Sequence, residues 1–260
     1  MTEQADLISV AAEILREAGD IADHITIVGG LAPNLLVPDP VLAENHVGTT
    51  DIDFGLAIAL DPTDAADYTA IESALRKLDF APRGPSSPSR WMSAEGTVID
   101  FLCGIPRWYQ ERDLVNVTEH LAACAFPAVP LAALDREKVD LPLPGGGTIG
   151  AWVAGVGAFV ALKVDALNSR GKPRDAYDIV WILRAWSGGP DAAAATVATS
   201  EIAEHPLWTG RLPLLRSTFN SPGARGAALY GAFADTGADE SARRSVEAMT
   251  TVLAFCDALA

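Results

Sequence analysis

Asp51 and Asp53, two aspartates separated by one residue, are the side chains in this chain whose chemistry and spacing best fit a catalytic or metal-binding site. In a β-strand, residues i and i+2 face the same side, so both carboxylates project together while Ile52 and Phe54 face the core. Two such charges about 5.5 Å apart repel by roughly 3 kcal/mol at an effective dielectric constant of about 20. The pair therefore favours a raised pKa or a bound cation, and carboxylate oxygens suit Mg²⁺.

A third carboxylate, Asp100, lies among four apolar residues, where an unpaired acid is costly to bury. If its strand lies beside that of Asp51 and Asp53, the three acids can hold two Mg²⁺ ions. One ion would activate an attacking hydroxyl and the other would bind a triphosphate. Gly29 and Gly30 end an earlier strand, and their backbone N–H groups can approach phosphate oxygens. Taken singly, these features also fit a solvated strand end, a cap and a turn.

A second group of candidate residues follows in the segment 161–179. Lys163 lies on a largely apolar helix, from which its ammonium can reach a triphosphate as a point charge. Arg174 and Asp178 are four residues apart on the next helix, so they can pair with each other. Lys163 can likewise pair with an acid opposite. A salt-bridge network between two helices is therefore the alternative to a nucleotide-binding site.

The elements that must position the aspartates alternate between helix and strand in the first half of the chain. Apolar residues at helical spacing and β-branched runs predict helix 7–18, strand 24–28, helix 31–36, loop 37–50, strand 51–58, helix 65–78, and strands 91–93 and 97–103. This order predicts a β-sheet with helices beside it.

The second half is predicted to be mainly helical. Its pattern indicates a hairpin at 141–153, helices 156–168, 174–186, 191–204 and 239–259, and an irregular stretch at 205–237. Pro173 favours a helix that begins beside it. We therefore expect two domains, a sheet-containing core at 1–140 and a mainly helical domain at 141–260.

Composition excludes several classes of protein. The 260 residues are 49% hydrophobic and 20% charged, with a net charge of -15 and a mean hydropathy of +0.19. The first 100 residues hold 5 Lys/Arg against 17 Asp/Glu, which disfavours a broad nucleic-acid surface. No apolar run is long enough for a membrane span. The acidic N-terminal segment implies no export, and three scattered cysteines predict buried free thiols in the cytoplasm.

Together, Gly29-Gly30, the Asp51-x-Asp53 pair, Asp100 and the segment from Lys163 to Asp178 resemble the AbiEii/AbiGii toxin-like branch of the nucleotidyltransferase superfamily. The resemblance spans roughly residues 25–185. It implies an α+β fold, with a nucleotidyltransferase-type mixed β-sheet and flanking helices followed by a mainly helical C-terminal domain. It also implies Mg²⁺-dependent transfer of a nucleoside monophosphate from an NTP, and a toxin–antitoxin role.

The resemblance assigns a role to each candidate residue. It makes the aspartates at positions 51, 53 and 100 the catalytic metal ligands, the last also a possible base. Lys163 is expected to be catalytic and to bind the nucleotide. The remaining nucleotide-binding candidates are Gly29, Gly30, Arg174 and Asp178.

Three hypotheses about function follow. The first is an Mg²⁺-dependent nucleotidyltransferase that modifies a tRNA or a protein hydroxyl and acts as a toxin, with an antitoxin protein as its partner. The second is the same chemistry on a small cationic molecule such as an aminoglycoside, which the acidic first half would attract. The third is an inactive module that binds a nucleotide or a protein partner without turnover.

Overall fold

The computed structural model describes residues 2–40, 42, 44–57, 68–84, 87–105, 114–234 and 237–260. The chain divides into two compact units. Unit 1 comprises Met1–Leu35 and Val47–Ala154, and unit 2 comprises Leu36–His46 and Gly155–Ala260. These units are defined by contacts within the chain. The division into domains at 1–140 and 141–260 stays a prediction.

Unit 1 contains the sheet and the helices that accompany it. In chain order its elements are α1 (Thr2–Ala18), β1 (Ile25–Val28), α2 (Ala32–Leu36), β2 (Asp51–Leu56), α3 (Thr69–Lys77), β3 (Ala81–Pro82), β4 (Arg90–Met92), β5 (Val98–Cys103), β6 (Leu114–Asn116), β7 (Ala122–Ala125), α4 (Leu131–Leu134), β8 (Arg136–Pro142) and β9 (Thr148–Ala154). A 3₁₀ turn, Gly29–Leu31, joins β1 to α2.

The nine strands of the described residues form one mixed sheet in the order β3-β4-β5-β2-β1-β9-β8, with β7 paired to β5 and β6 to β7. Strand β2 is antiparallel to β1 and parallel to β5. Strand β9 is parallel to β1 and antiparallel to β8. The hairpin of β8 and β9 thus completes the sheet on the far side of β1, and β2 and β5 lie in its interior.

The core of unit 1 follows from the two-residue period of the central strands. Every residue of β1 is buried, as expected for a strand covered on both faces. On β2 and β5 the apolar residues Ile52, Phe54 and Phe101 are fully buried, whereas the aspartates between them are half-buried. The rings of Phe54 and Phe101 lie 5.8 Å apart between centroids. The apolar face therefore anchors both strands and leaves their carboxylates on the opposite face.

All regular secondary structure in the described residues of unit 2 is helical. Its helices are α5 (Val156–Arg170), α6 (Pro173–Ala185), α7 (Gly189–Ala198), α8 (Pro206–Thr209), α9 (Leu212–Thr218), α10 (Arg225–Gly231) and α11 (Ala238–Ala258). Gly171 ends α5 in a left-handed conformation with φ +63°, and Pro173 is the first residue of α6. This tight connection makes α5 and α6 a packed helical hairpin.

The predicted fold class is confirmed, since a mixed sheet with flanking helices precedes a mainly helical part. Two local predictions were wrong. The alanine-rich helix ends at Ala198 rather than 204, where the hydroxyls of Thr199 and Ser200 hydrogen-bond back to carbonyls of the last turn. The stretch 205–237, expected to be irregular, contains α8, α9 and α10, each too short to show a helical period.

Other predictions have mixed outcomes. Residue 58 of the predicted second strand and residues 65–67 of the predicted third helix lie outside the described residues. Cys103 and Cys256 are buried free thiols as predicted, whereas Cys124 is only half-buried. Within the described part of the chain, no helix is long and apolar enough to cross a bilayer.

Candidate functional site

Three carboxylates converge on one face of the central sheet in unit 1. Strands β2 and β5 are parallel neighbours, and their register places Asp53 directly opposite Asp100. Asp51 lies two residues before Asp53 and shares its face. Each of the three offers one carboxylate oxygen, and these oxygens all lie within 4.8 Å of one another. The structure therefore brings together the three residues that the sequence predicts as metal ligands, while their role stays a prediction.

The chemistry of this carboxylate cluster fits a divalent cation. At separations up to 4.8 Å, each pair of negative charges repels by about 3 kcal/mol or more at an effective dielectric constant of about 20. Hard carboxylate oxygens suit Mg²⁺, which binds through one or two carboxylates and completes its shell with water and phosphate oxygens. Three carboxylates can therefore serve one ion or be shared between two. Nucleotidyltransferase chemistry generally depends on such divalent ions.

Arg90 on β4 is the basic partner of the carboxylate cluster. It lies opposite Asp100 in the antiparallel register of β4 and β5. Its Nε donates to Asp100 Oδ1 at 2.7 Å, and its Nη2 donates to Asp100 Oδ2. The hydrogen bond with Asp100, helped by the charges of Asp51 and Asp53, raises the pKa of the Arg90 guanidinium against the opposing effect of burial. Arg90 thus neutralises part of the cluster and fixes the plane of the Asp100 carboxylate.

Sequence reasoning did not identify Arg90, although a signal for it is present. The turn around Glu95-Gly96 sets the hairpin register, and counting back from that turn pairs Met92 with Val98 and Arg90 with Asp100. A basic residue directly opposite an acid that is flanked by apolar residues would have been the clue.

Thr49 is a second residue that sequence reasoning did not identify as functional. Its hydroxyl donates to Asp51 Oδ1 at 2.5 Å, from a position two residues before the start of β2. A short side chain that bonds to an acid two residues on is a local motif, and its spacing is readable from sequence. Thr49 therefore restrains the Asp51 carboxylate, as Arg90 restrains that of Asp100.

Gly29 brings the turn after β1 against Asp53. Val28 pairs with Asp53 across β1 and β2, so Gly29 follows directly beyond this pair. Its φ is +69°, and a Cβ at this position would lie 1.8 Å from Asp53 Oδ2. Only glycine fits both the backbone conformation and the space. Gly30 is buried within the same 3₁₀ turn, beside the start of α2.

A separate cluster of charges lies in unit 2, at the hairpin of α5 and α6. Lys163 Nζ lies 2.6 Å from Asp178 Oδ2 and 3.7 Å from Asp175 Oδ1. Asp178 Oδ1 lies 2.9 Å from Nε2 of His46, which belongs to the same unit. Side-chain exposure is 0% for both Asp178 and His46 and 8% for Lys163. Two basic side chains therefore accompany the buried carboxylate of Asp178.

Burial disfavours the charged form of Asp178, but the opposing effects are larger. The Lys163 charge, together with hydrogen bonds to His46 and Lys163, lowers the pKa of Asp178 to about 2. Asp178 is therefore an anion at neutral pH, and it holds the Lys163 ammonium in place. Asp178 has no exposed side-chain surface, and its role in nucleotide binding stays a prediction.

The pairing between Arg174 and Asp178 that the sequence suggested is not the one found. Asp178 pairs with Lys163 and His46 instead, because its side chain points into the hairpin. The Nη2 atom of Arg174 has no hydrogen-bond partner among the described residues. Arg170, the last residue of α5, makes a two-point contact with Asp175 at 2.6 and 2.8 Å.

His46 is a further residue that sequence reasoning passed over. Its ring centroid lies 5.2 Å from that of Tyr177 and 5.0 Å from that of Trp181, both on α6. The loop that contains it has no periodic pattern, and its partner is 132 positions away along the chain. A contact of this range leaves no local signal in the sequence.

Comparison with known proteins identifies the family. No curated protein matches the chain. A family model described as nucleotidyl transferase AbiEii toxin, type IV toxin–antitoxin system, matches residues 14–251. The match includes strands β1, β2 and β5 as well as the α5–α6 hairpin, and it confirms the resemblance drawn from the sequence. This chain therefore belongs to the AbiEii family of nucleotidyl transferase toxins.

Proposed function

We propose that this protein is an Mg²⁺-dependent nucleotidyltransferase that moves a nucleoside monophosphate from an NTP to an acceptor hydroxyl, and that it is the toxin of a toxin–antitoxin pair. The observation that carries the proposal is the carboxylate cluster, whose three oxygens lie within 4.8 Å of one another. Family membership supports the reaction class. The metal, the nucleotide and the acceptor are the parts that we add.

The roles of the unit 1 residues follow from their contacts. Asp51, Asp53 and Asp100 would hold one or two Mg²⁺ ions, which supply charge stabilisation at the transferred phosphate. Thr49 orients Asp51 and Arg90 orients Asp100, so the donor oxygens are preorganised. Gly29 keeps side-chain atoms away from Asp53 and leaves backbone N–H groups for phosphate oxygens.

The candidate nucleotide-binding residues of unit 2 either carry positive charge or hold it in place. We propose that Lys163 supplies positive charge for the triphosphate and that Asp178 holds its ammonium in position. Arg174, with an unpartnered Nη2 among the described residues, would add a second positive charge. A purely structural role of this hairpin is the competing explanation.

The proposal also names an acceptor, a protein partner and a location. A tRNA end or a protein hydroxyl is the acceptor that the family resemblance implies, and a small cationic molecule is the alternative. An antitoxin protein is the expected partner, and the cytoplasm is the expected location. Binding of an NTP without any turnover would mean that the protein is an inactive module, which would contradict the proposed catalysis.

The test is incubation of the protein with each α-labelled NTP, Mg²⁺ and, separately, total RNA, protein and aminoglycosides. We expect one acceptor class to gain label, and we expect EDTA to prevent it. Asp53→Asn should lower transfer by about 10³-fold, since the carboxylate would hold the metal ion that stabilises charge at the reacting phosphate. Asp140→Asn, an exposed change of the same type on β8, is the matched control. Full activity of Asp53→Asn would refute the metal role.

A further inference from the structure

One row of residues crosses four neighbouring strands of unit 1 and includes two members of the carboxylate cluster. Asp53 on β2 lies opposite Asp100 on β5, which in turn lies opposite Arg90 on β4. Arg83 directly follows β3, and its backbone N–H donates to the carbonyl of Arg90 at 2.8 Å. Directly opposite residues share a face in an antiparallel pair, so Arg83 extends the row on the face that carries the cluster.

Arg83 is the exception among the basic residues of the first 100 positions. These positions hold five lysines and arginines. Four of them form ion pairs with acids, namely Arg16, Arg76, Lys77 and Arg90. Arg83 is exposed, and it forms no ion pair with any residue that the structure describes. Its guanidinium can therefore receive an anion, in a part of the chain that otherwise carries a large excess of acid.

An exposed apolar side chain lies on the same face, next to this row. Met92 is two residues after Arg90 on β4 and is 40% exposed. It lies opposite Val98, which in turn lies opposite Asp51. The cluster is thus bordered by an apolar surface as well as by a guanidinium. This combination suits a nucleotide of a single strand, whose phosphate takes a cation and whose sugar and base take apolar contacts.

The order of the strands separates the two reactants. Gly29 lies on the β1 side of Asp53. Arg90 and Arg83 lie on the other side, beyond β5. The attacking and leaving oxygens of a phosphoryl transfer lie roughly in line. A triphosphate held at the glycine turn therefore places its pyrophosphate on the β1 side and leaves the β4 side for the acceptor.

We propose that Arg83 binds the acceptor through the phosphate next to the attacking hydroxyl, and that Met92 contacts the adjoining sugar or base; this inference rests on the proposed function and narrows its acceptor to RNA. Two strand spacings, about 10 Å, separate Arg83 from Asp100 along the row. Arg83 therefore suits the neighbouring phosphate rather than the reacting one. A single contact of this kind agrees with an acidic composition, which disfavours only a broad nucleic-acid surface.

Arg83 takes no part in the bond changes of the transfer. The acceptor oxygen forms a bond to the α-phosphorus of the NTP, and the bond from that phosphorus to the bridging oxygen of the pyrophosphate breaks. Pyrophosphate leaves, and the hydroxyl proton passes to a carboxylate of the cluster and then to water. Loss of Arg83 should therefore change KM for the acceptor and leave kcat nearly unchanged.

Transfer to total tRNA, with labelled NTPs and Mg²⁺, tests this division between KM and kcat. Arg83→Gln should raise KM for tRNA by about 10-fold, and Arg83→Lys should restore part of the loss. Arg16→Gln is the matched control, because it removes the same charge from α1 of the same unit. We expect its KM to equal that of the parent. An equal rise in both glutamine variants would mean general attraction of RNA to positive charge and would overturn the inference.

Binding is measured without transfer in the Asp53→Asn protein. Competition against labelled tRNA compares the tRNA-end trinucleotide CpCpA with an analogue whose last linkage is an uncharged methylphosphonate. We expect CpCpA to compete about 10-fold better. Adding Arg83→Gln should remove this preference, because the guanidinium and the phosphate charge form one contact. Adding Met92→Ser instead should weaken both probes alike.

The melting temperature of Arg83→Gln should equal that of the parent, since the guanidinium forms no ion pair with the described residues. Label on tRNA with an unchanged KM in Arg83→Gln, no preference for CpCpA over its analogue, or label on protein instead of RNA would each overturn the inference and leave the proposed function intact. Absence of label on RNA, protein and aminoglycosides with every NTP would refute the proposed function, and this inference with it.

Discussion

At the scale of single residues, the carboxylate cluster depends on what surrounds it as much as on its acids. Gly29 provides the space beside Asp53, Thr49 restrains Asp51, and Arg90 holds Asp100 at two points. The three acids can be identified from sequence because each lies between apolar residues in a segment with strand character. Arg90 is not readable in this way, since its importance comes from a pairing between strands.

Gly29→Ala should damage the cluster directly. The new Cβ would meet Asp53 Oδ2 at 1.8 Å and would also strain a backbone with φ +69°. We expect the free energy of unfolding, measured in urea, to fall by about 2–4 kcal/mol, and Mn²⁺ affinity to fall with it. Gly19→Ala is the matched control, because its φ is +64° and no atom lies within 4 Å of its Cβ position. Equal losses in both variants would mean that only backbone strain matters.

Arg90→Gln should raise the affinity for divalent cations. Without the guanidinium, Asp100 loses its partner and the cluster becomes more negative. We expect Mn²⁺ to bind roughly 3–10-fold more tightly in calorimetry, while the melting temperature in EDTA falls and recovers on addition of metal. A variant with unchanged metal affinity would show that the guanidinium has no electrostatic effect on the cluster.

At the scale of elements, the α5–α6 hairpin is set by a short turn and a buried charge network. Gly171 and Pro173 mark the end of one helix and the start of the next, so both helices were predicted within two residues. The network was predicted only as an alternative. The expected pairing of Lys163 with an acid is found, whereas Asp178 was expected to pair with Arg174. Helical spacing shows which residues share a face, but it does not show which of two acids meets Lys163.

Asp178 should make the free energy of unfolding depend on pH in the acidic range. Its pKa is lowered from 3.8 to about 2, so its contribution is complete above about pH 4 and is lost as the pH falls toward 2. The shift corresponds to about 2 kcal/mol. Asp178→Asn should lose this part of the pH dependence, seen as a shallower fall in the free energy of unfolding between pH 4 and 2.

The same variant leaves Lys163 with a weaker partner, so it should also be less stable at pH 7 by about 3–5 kcal/mol. Asp20→Asn, at an exposed position, serves as the control and should keep the wild-type pH profile. A wild-type slope in Asp178→Asn would mean that other acids dominate this range.

At the scale of the whole molecule, the sequence predicts the fold class and the position of the acids, but not how the chain is shared between units. The segment Leu36–His46 belongs to unit 2 although its neighbours on both sides belong to unit 1. Most of this segment lies in the predicted loop 37–50, which was inferred from Pro38, Pro40 and Gly48. The partner of His46 lies far along the chain. Local patterns predict elements, whereas contacts between distant residues decide where those elements belong.

A fragment comparison tests the predicted boundary at residue 140. Strand β9 pairs with β1, every residue of which is buried, so a chain that ends at 140 exposes the edge of β1. We expect fragment 1–154 to keep its strand signal in circular dichroism and to bind Mn²⁺, and fragment 1–140 to aggregate. Both lack α5 and α6, so this loss is matched. A folded, metal-binding fragment 1–140 would support the predicted domain boundary.

The bond between His46 and Asp178, 132 positions apart, also has a consequence for synthesis on the ribosome. Strands β2 and β5, which bear the three aspartates, are translated before α6. A nascent chain therefore contains these acids before Asp178 is available to bond to the His46 imidazole. Premature termination anywhere before codon 178 yields a polypeptide whose residues 36–46 lack their native anchor, five positions upstream of Asp51. Quality-control proteases would therefore encounter truncated products in which residues 36–46 lack the bond from His46 to Asp178.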